Sequence, residues 1–204
     1  MFALVESGTI TQFPKGNKGI TIGDNQYPKT IYSLWTEAER NAIGIYTVEI
    51  DSTNRKDEEF YVNTNITYAF GSGKVTGSYG TATAKRLNDE DAVDDNGDKV
   101  KDADGNQVIN YGLKTQYKNK FNTEAAGLLS RTDWYVIKAA DVGSYSVPSN
   151  IATYRAAVRT KVNAMETSID GCSDVAALIT LLTYTKDSEG VVSRPLGEFP
   201  DEVV

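Results

Sequence analysis

The chain has 204 residues, a net charge of −7, one cysteine and no histidine. That is long enough for one well-cored domain or two small ones. The composition excludes an intramolecular disulfide, cysteine-based zinc sites, Cys–His pairs and Ser–His–Asp triads. No apolar run reaches the roughly 18 residues that suggest a bilayer span. The first residues lack a basic region followed by an apolar core, so no secretory signal is expected there.

In chain order, residues 1–86 read mainly as β structure. Residues 2–13 give two short extended runs around Glu6-Ser7-Gly8, a hairpin signal. Residues 15–29 are rich in Gly, Asn, Lys and Pro and read as loop. Thr36 followed by Glu39 is a capping-box pattern opening one short helix, 37–42, with Gly44 behind it. A strand is expected at 45–50. Two longer strands are expected at about 58–70 and 74–85, joined at Gly71-Ser72-Gly73. The first alternates Val62, Thr64, Ile66, Tyr68 and Phe70 on one face. Gly77 and Gly80 inside the second suggest close approach by another backbone.

Residues 87–112 read as an acidic β-hairpin arm. Residues 87–110 carry eight acids against Lys99 and Lys101, a net −6. Asn96-Gly97 and Asp104-Gly105 are two-residue turn signals. Residues 184–204 carry five acids against Lys186 and Arg194, so the rest of the chain is close to neutral, at +2. This distribution argues against nucleic acid as a partner.

Residues 113–183 read as a three-helix unit. Leu113, Tyr117, Phe121, Ala125 and Leu128 form one apolar stripe, and Ile151, Tyr154, Val158, Val162, Met165 and Ile169 a second. Pro148 opens the second helix, and Gly171 ends it. Ser173 is placed to cap a third helix with Val175, Leu178, Ile179 and Leu182 inward. Residues 184–204 lose periodicity and read as an extended or disordered tail. The fold class is α+β: an N-terminal antiparallel β domain, the acidic arm, the helical unit and the tail.

Chemistry-bearing candidates are few. Asp102, Asp104 and Asn106 make half of a calcium loop, without the third early aspartate or the closing glutamate. The competing reading is a polar turn. Cys172 has no histidine to pair with and reads as a small buried side chain. Glu37, Glu39, Glu58 and Glu59 have no spacing that selects a glycosidase pair. Tyr61, Tyr68 and Tyr79 suit a carbohydrate or protein surface, or simply a half-buried sheet. Trp134 beside Asp133 suits a cleft or a connector anchor. Arg155 and Arg159, four apart, share a helix face and suit ion pairs. No catalytic residue, cofactor or membrane segment is expected.

Leu128-Leu129, Thr132-Asp133-Trp134, Pro148, and Tyr154-Arg155 with Arg159 one turn on form the one signature-like pattern. It resembles a segment recurring in small bacteriophage tail, tail-fibre and tail-fibre-assembly proteins, especially those of marine and cyanobacterial phages. Gly112-Leu113-Lys114-Thr115-Gln116 and Tyr27-Pro28 are similar to the same group. The resemblance implies a non-enzymatic virion component made in the host cytoplasm and contacting other tail or fibre subunits, in a symmetric homo-oligomeric assembly. The alternative within the same resemblance is a fibre-assembly chaperone absent from the particle. A carbohydrate- or receptor-binding module is the reading from a different class. The interface expected is Trp134, Tyr154, Arg155, Val158 and Arg159.

Overall fold

Alternating small and branched residues at the start of the chain build the first sheet. β1 (Phe2–Glu6) and β2 (Thr9–Gln12) form a hairpin. At its tip Ser7 and Gly8 both have positive φ, 50° and 79°, the backbone of a tight twisted hairpin turn. β5 (Ile45–Asp51) pairs with the other edge of β1. β7 (Ile66–Gly71) and β8 (Lys74–Tyr79) form a second hairpin through Ser72-Gly73, and the order is β2-β1-β5-β8-β7. This computed structural model describes residues 1–203 and contains two compact units, the first ending at Thr83 and the second beginning at Ala84.

The β5–β8 pair is parallel, with Val48 opposite Val75. The sheet is therefore mixed, not wholly antiparallel as expected. Its outer strands curl towards one another, where Phe13 packs on Tyr68 at 4.7 Å between ring centroids, so the five strands form a nearly closed barrel. Ala3, Val5, Val48 and Val75 form one core cluster, joined by Ile10, Tyr46 and Phe70. Leu4, Ile20, Ile31 and Ile45 form a second. Consecutive residues of β1 are thus buried on opposite faces, which removes polar alternation from that strand.

The second cluster is covered by the hairpin of β3 (Ile20–Ile22) and β4 (Asn25–Tyr27) and by α1 (Ile31–Leu34). The stretch read as loop therefore holds two strands. The single short helix expected becomes two, because α2 (Glu37–Ala42) follows. Its capping box is present: Thr36 N–H donates to Glu39 Oε2 at 2.8 Å, and Glu39 N–H donates to Thr36 Oγ1 at 3.3 Å.

The long strand expected at 58–70 is broken. Val62 belongs to β6 (Tyr61–Val62), which pairs with β9 (Thr83–Ala84) in a separate two-stranded sheet. The strand expected to 85 ends at Tyr79. Gly77 is needed for space: a Cβ there would lie 2.8–2.9 Å from the Tyr68 ring and Ile50. Side chains approach it, not the backbone foreseen.

In the second unit the acidic segment is a closed ring of three short chain passes. β10 (Glu90–Asp91) pairs with β11 (Ile109–Asn110), and single bridges join Val93 to Lys99 and Lys101 to Gln107. At the centre three amides bond in a circle. Ala92 N–H donates to Val108 C=O, Val108 N–H to Val100 C=O, and Val100 N–H to Ala92 C=O, at 2.8–2.9 Å. These residues are eight apart, and an Asp-x-x-Gly turn fills each interval. The turns are not the two-residue kind expected. In each only the glycine has positive φ (86° at Gly97, 85° at Gly105), the geometry of a type I turn with a glycine bulge.

Asp89 fastens this ring to α3 (Leu113–Ser130). Its carboxylate accepts from Gly112 N–H at 2.8 Å and from the Thr115 hydroxyl at 2.9 Å, which satisfies a free donor at the helix start. α4 (Asp133–Asp141), α5 (Ser149–Asp170) and α6 (Val175–Leu182) follow, so the three helices expected are four among the described residues. All six residues of the α5 stripe are buried, as are Leu113, Tyr117, Phe121 and Ala125 of α3. Asp174, not Ser173, caps α6, accepting from Ala177 N–H at 2.8 Å. No helix among the described residues is long and apolar enough to cross a membrane.

The tail is ordered against its own unit. β12 (Thr185–Lys186) and β13 (Val192–Ser193) make an exposed hairpin. Beyond it Leu196 is buried, its N–H bonded to Leu181 C=O and its C=O to Lys161 Nζ. Arg194 lies over the rings of Phe121 and Tyr184 and pairs with Glu198 at 2.8 Å. Single anchors of this kind leave no periodic trace, which is why the sequence reads as loose.

Candidate functional site

Four residues of the signature-like pattern, Leu129, Thr132, Asp133 and Arg155, meet at one corner, where α3 ends and α4 begins. Leu129 lies in the last turn of α3, where its carbonyl accepts from the Thr132 N–H at 3.1 Å in place of a regular helical partner. Arg155, 7 % exposed on α5, donates to that carbonyl at 2.7 Å and to Thr132 Oγ1 at 2.7 Å. Its other nitrogen pairs with Asp133 Oδ1 at 2.8 Å. A cation thus sits at the negative end of α3, and a carboxylate in the first turn of α4, both placements that helix dipoles favour. Thr132 is itself buried and donates to Leu129 C=O at 3.0 Å.

The corner fixes where α4 points. No residue of α4 is buried. Trp134 is 52 % exposed and Ile137, one turn on, 66 %; Val136 and Val142 are exposed as well. Trp134 packs on Tyr135 at 4.5 Å and lies nearly parallel to Tyr145 at 6.4 Å. Lys138 Nζ is 5.1 Å from the Trp134 ring centre and 4.3 Å from that of Tyr145, an arrangement worth about 0.5–1 kcal/mol at an exposed site. Aromatic stacking and the lysine hold the tryptophan in one orientation on the surface.

The five residues expected as an interface therefore separate. Tyr154, Arg155 and Val158 are inside the helical unit, while Trp134 and Arg159 face out. Arg155 and Arg159 do not form one charged face: Arg159 donates to the Arg155 carbonyl at 3.4 Å, and the Arg155 guanidinium is consumed at the corner. The Tyr154 hydroxyl is buried without a hydrogen-bond partner. Burial raises its pKa, and the Glu202 carboxylate adds to the effect. Val136 and Ile137 were not anticipated. Their signal was adjacent apolar residues beside a tryptophan in a segment with no inward stripe.

The remaining candidates have local duties. Asp102 Oδ1 accepts from the N–H groups of Asp104 and Asn106 at 3.0 and 2.9 Å, and Oδ2 from Asn106 Nδ2 at 3.3 Å. Asp94 and Asp187 hold their turns in the same way. Among the described residues no three Asp, Glu or Cys side chains gather as a metal site. Glu39 belongs to the capping box, and Glu58 pairs with Arg55 at 2.9 Å. Cys172 is buried, which pushes its thiol pKa up and away from the reactive thiolate. Tyr68 and Tyr79 share the face of β7 and β8 that carries Val75 and Phe70 into the core, and Tyr61 lies on the separate β6–β9 pair.

The aspartate turns make the acidic ring sensitive to acid. The pKa of Asp94 is lowered chiefly by the Asp98 N–H, and that of Asp102 chiefly by the Asn106 N–H. A depressed carboxylate pKa stabilises the fold above its unfolded value, and that contribution is lost as the pH falls through the lowered folded value. The amide signals of Asp98 and Asn106 are expected to titrate below 3.8, the ordinary aspartate value. Asp102→Ala removes the Asn106 transition. A midpoint above 3.8 in an NMR titration contradicts the assignment.

No family model matches the chain, and neither a curated protein nor a solved structure matches it.

Proposed function

We propose that the chain is a non-enzymatic component of a bacteriophage tail or tail fibre that binds neighbouring tail subunits through the outward face of α4. The observation that carries this reading is a helix that buries none of its residues yet presents Trp134, Val136 and Ile137 to solvent. Trp134 and Ile137, three apart, share one helix face; exposed apolar surface of this kind marks contact sites, and tryptophan is enriched where contacts dominate binding. The Arg155 corner supports it further, because it holds α4 in place before any partner arrives, which lowers the ordering cost of association. The likeness of the 128–169 segment to phage tail proteins supplies the kind of partner: other tail or fibre subunits, arranged symmetrically with further copies of this chain. Its place is then the virion, after assembly in the host cytoplasm.

Mass spectrometry of purified particles tests the reading. The chain is expected in a fixed ratio to other tail proteins. Trp134→Ala combined with Ile137→Ser is expected to give folded protein that particles fail to incorporate. Wild-type chain absent from particles whose fibres depend on it points instead to the assembly chaperone.

A further inference from the structure

A cavity of about 470 Å³ in the first unit is lined by Gln12, Lys15, Asn17, Lys18 and Tyr32 among others, with no carboxylate. That is unusual in a chain of net charge −7. Lys15 and Lys18 are the only charged residues between positions 7 and 23, and among the described residues neither makes an ion pair or side-chain hydrogen bond. A second cavity of similar size, beside Ser52, is lined by both signs of charge and contains the Arg55–Glu58 pair.

A second observation comes from Tyr32. Its hydroxyl is closed off from solvent and has no hydrogen-bond partner. A buried donor left unmade costs about 1–3 kcal/mol, so such groups call for an explanation. Phe2 packs on the ring at 4.9 Å. The loop of Lys15 and Lys18 passes over it at Gly16, where a Cβ would lie 3.7 Å from the ring. Gly16 has φ of +73°, a conformation that other residues rarely adopt. The loop is thus held by glycine against the root of the Tyr32 ring, at Cγ, with a lysine on either side.

We propose that this cavity binds a small oxyanion, a phosphate or carboxylate group. Lys15 and Lys18 supply the charge, and the amides of Gln12 and Asn17 supply further donors. The Tyr32 hydroxyl donates to the anion as the loop yields to it. Burial raises the Tyr32 pKa, so the hydroxyl keeps its proton through the neutral range. The site is independent of the α4 surface and of the tail reading.

The test is a heteronuclear NMR titration of the full chain with inorganic phosphate and, separately, with glucuronate, at ionic strength fixed by chloride. Saturable shifts confined to residues 12–20 and 32 are expected. Lys15→Gln with Lys18→Gln is expected to weaken binding by about tenfold or more, equivalent to about 1.4 kcal/mol. Tyr32→Phe is expected to weaken it by less while leaving the spectrum folded. Tighter binding of phosphate assigns the site to phosphorylated ligands, and tighter binding of glucuronate to acidic sugars. Shifts that fail to saturate, or that persist unchanged in the double lysine variant, overturn the proposal.

Discussion

Arg155→Ala lowers the stability of the helical unit by about 2–4 kcal/mol. The guanidinium satisfies three acceptors from two helices: Leu129 C=O, Thr132 Oγ1 and the Asp133 carboxylate. Removing it takes one of two hydrogen bonds from the buried Thr132 hydroxyl, which keeps its bond to Leu129 C=O, and leaves a cavity where the arginine stem packed. Asp133 is half exposed, so water recovers part of its loss and the cost stays below that of a fully buried pair. Arg155→Lys keeps the charge but not the planar fork, and recovers less than half. Thermal unfolding followed by circular dichroism reads this as a fall in Tm on the order of 10 °C. A change within about 0.5 kcal/mol is the mark of a surface residue and contradicts the corner.

Val158→Asp is expected to unfold the helical unit at neutral pH. Val158 is fully buried at the centre of the α5 stripe, and the cation one turn before it, Arg155, is already bonded to Leu129, Thr132 and Asp133. A carboxylate there costs about 4–5 kcal/mol or more, a large share of the 5–15 kcal/mol that holds a typical domain together. Trp134→Ala, four residues from Lys138 on an exposed helix, is expected to change stability by less than about 0.5 kcal/mol. The contrast separates core from surface among residues that the sequence groups as one interface. NMR dispersion of the helical unit reads both. A well-dispersed spectrum for Val158→Asp sinks the placement of α5.

The legible parts of the chain were those whose signal is local and periodic. The α3 and α5 stripes repeat at three and four residues, and their residues are buried except Leu128, which is half-buried at the end of α3. The Thr36–Glu39 capping box needs only three residues of separation, and it is present as read. The parts that were not legible depend on distant partners. Arg155 finds Leu129 and Thr132 across 26 and 23 residues, so spacing alone made it a surface cation. The parallel β5–β8 pair depends on a crossover that no local pattern encodes. The acidic ring hid an eight-residue repeat, Ala92, Val100 and Val108, behind turn signals strong enough to suggest a plain hairpin. α4 was missed as a helix for a different reason: its apolar residues face out, so it has no inward stripe to detect. That absence, read beside Trp134, is the trace in the sequence of the outward face of α4.

Hydroxyl-radical footprinting of Trp134 and Ile137, in the free chain and in purified tail particles of the kind proposed to contain it, tests the proposed docking face most directly. Both residues are expected to react readily in the free chain and to be protected in the particle, while exposed Tyr111 on the same unit serves as the reference. Equal reactivity of Trp134 and Ile137 in the two samples would contradict the account.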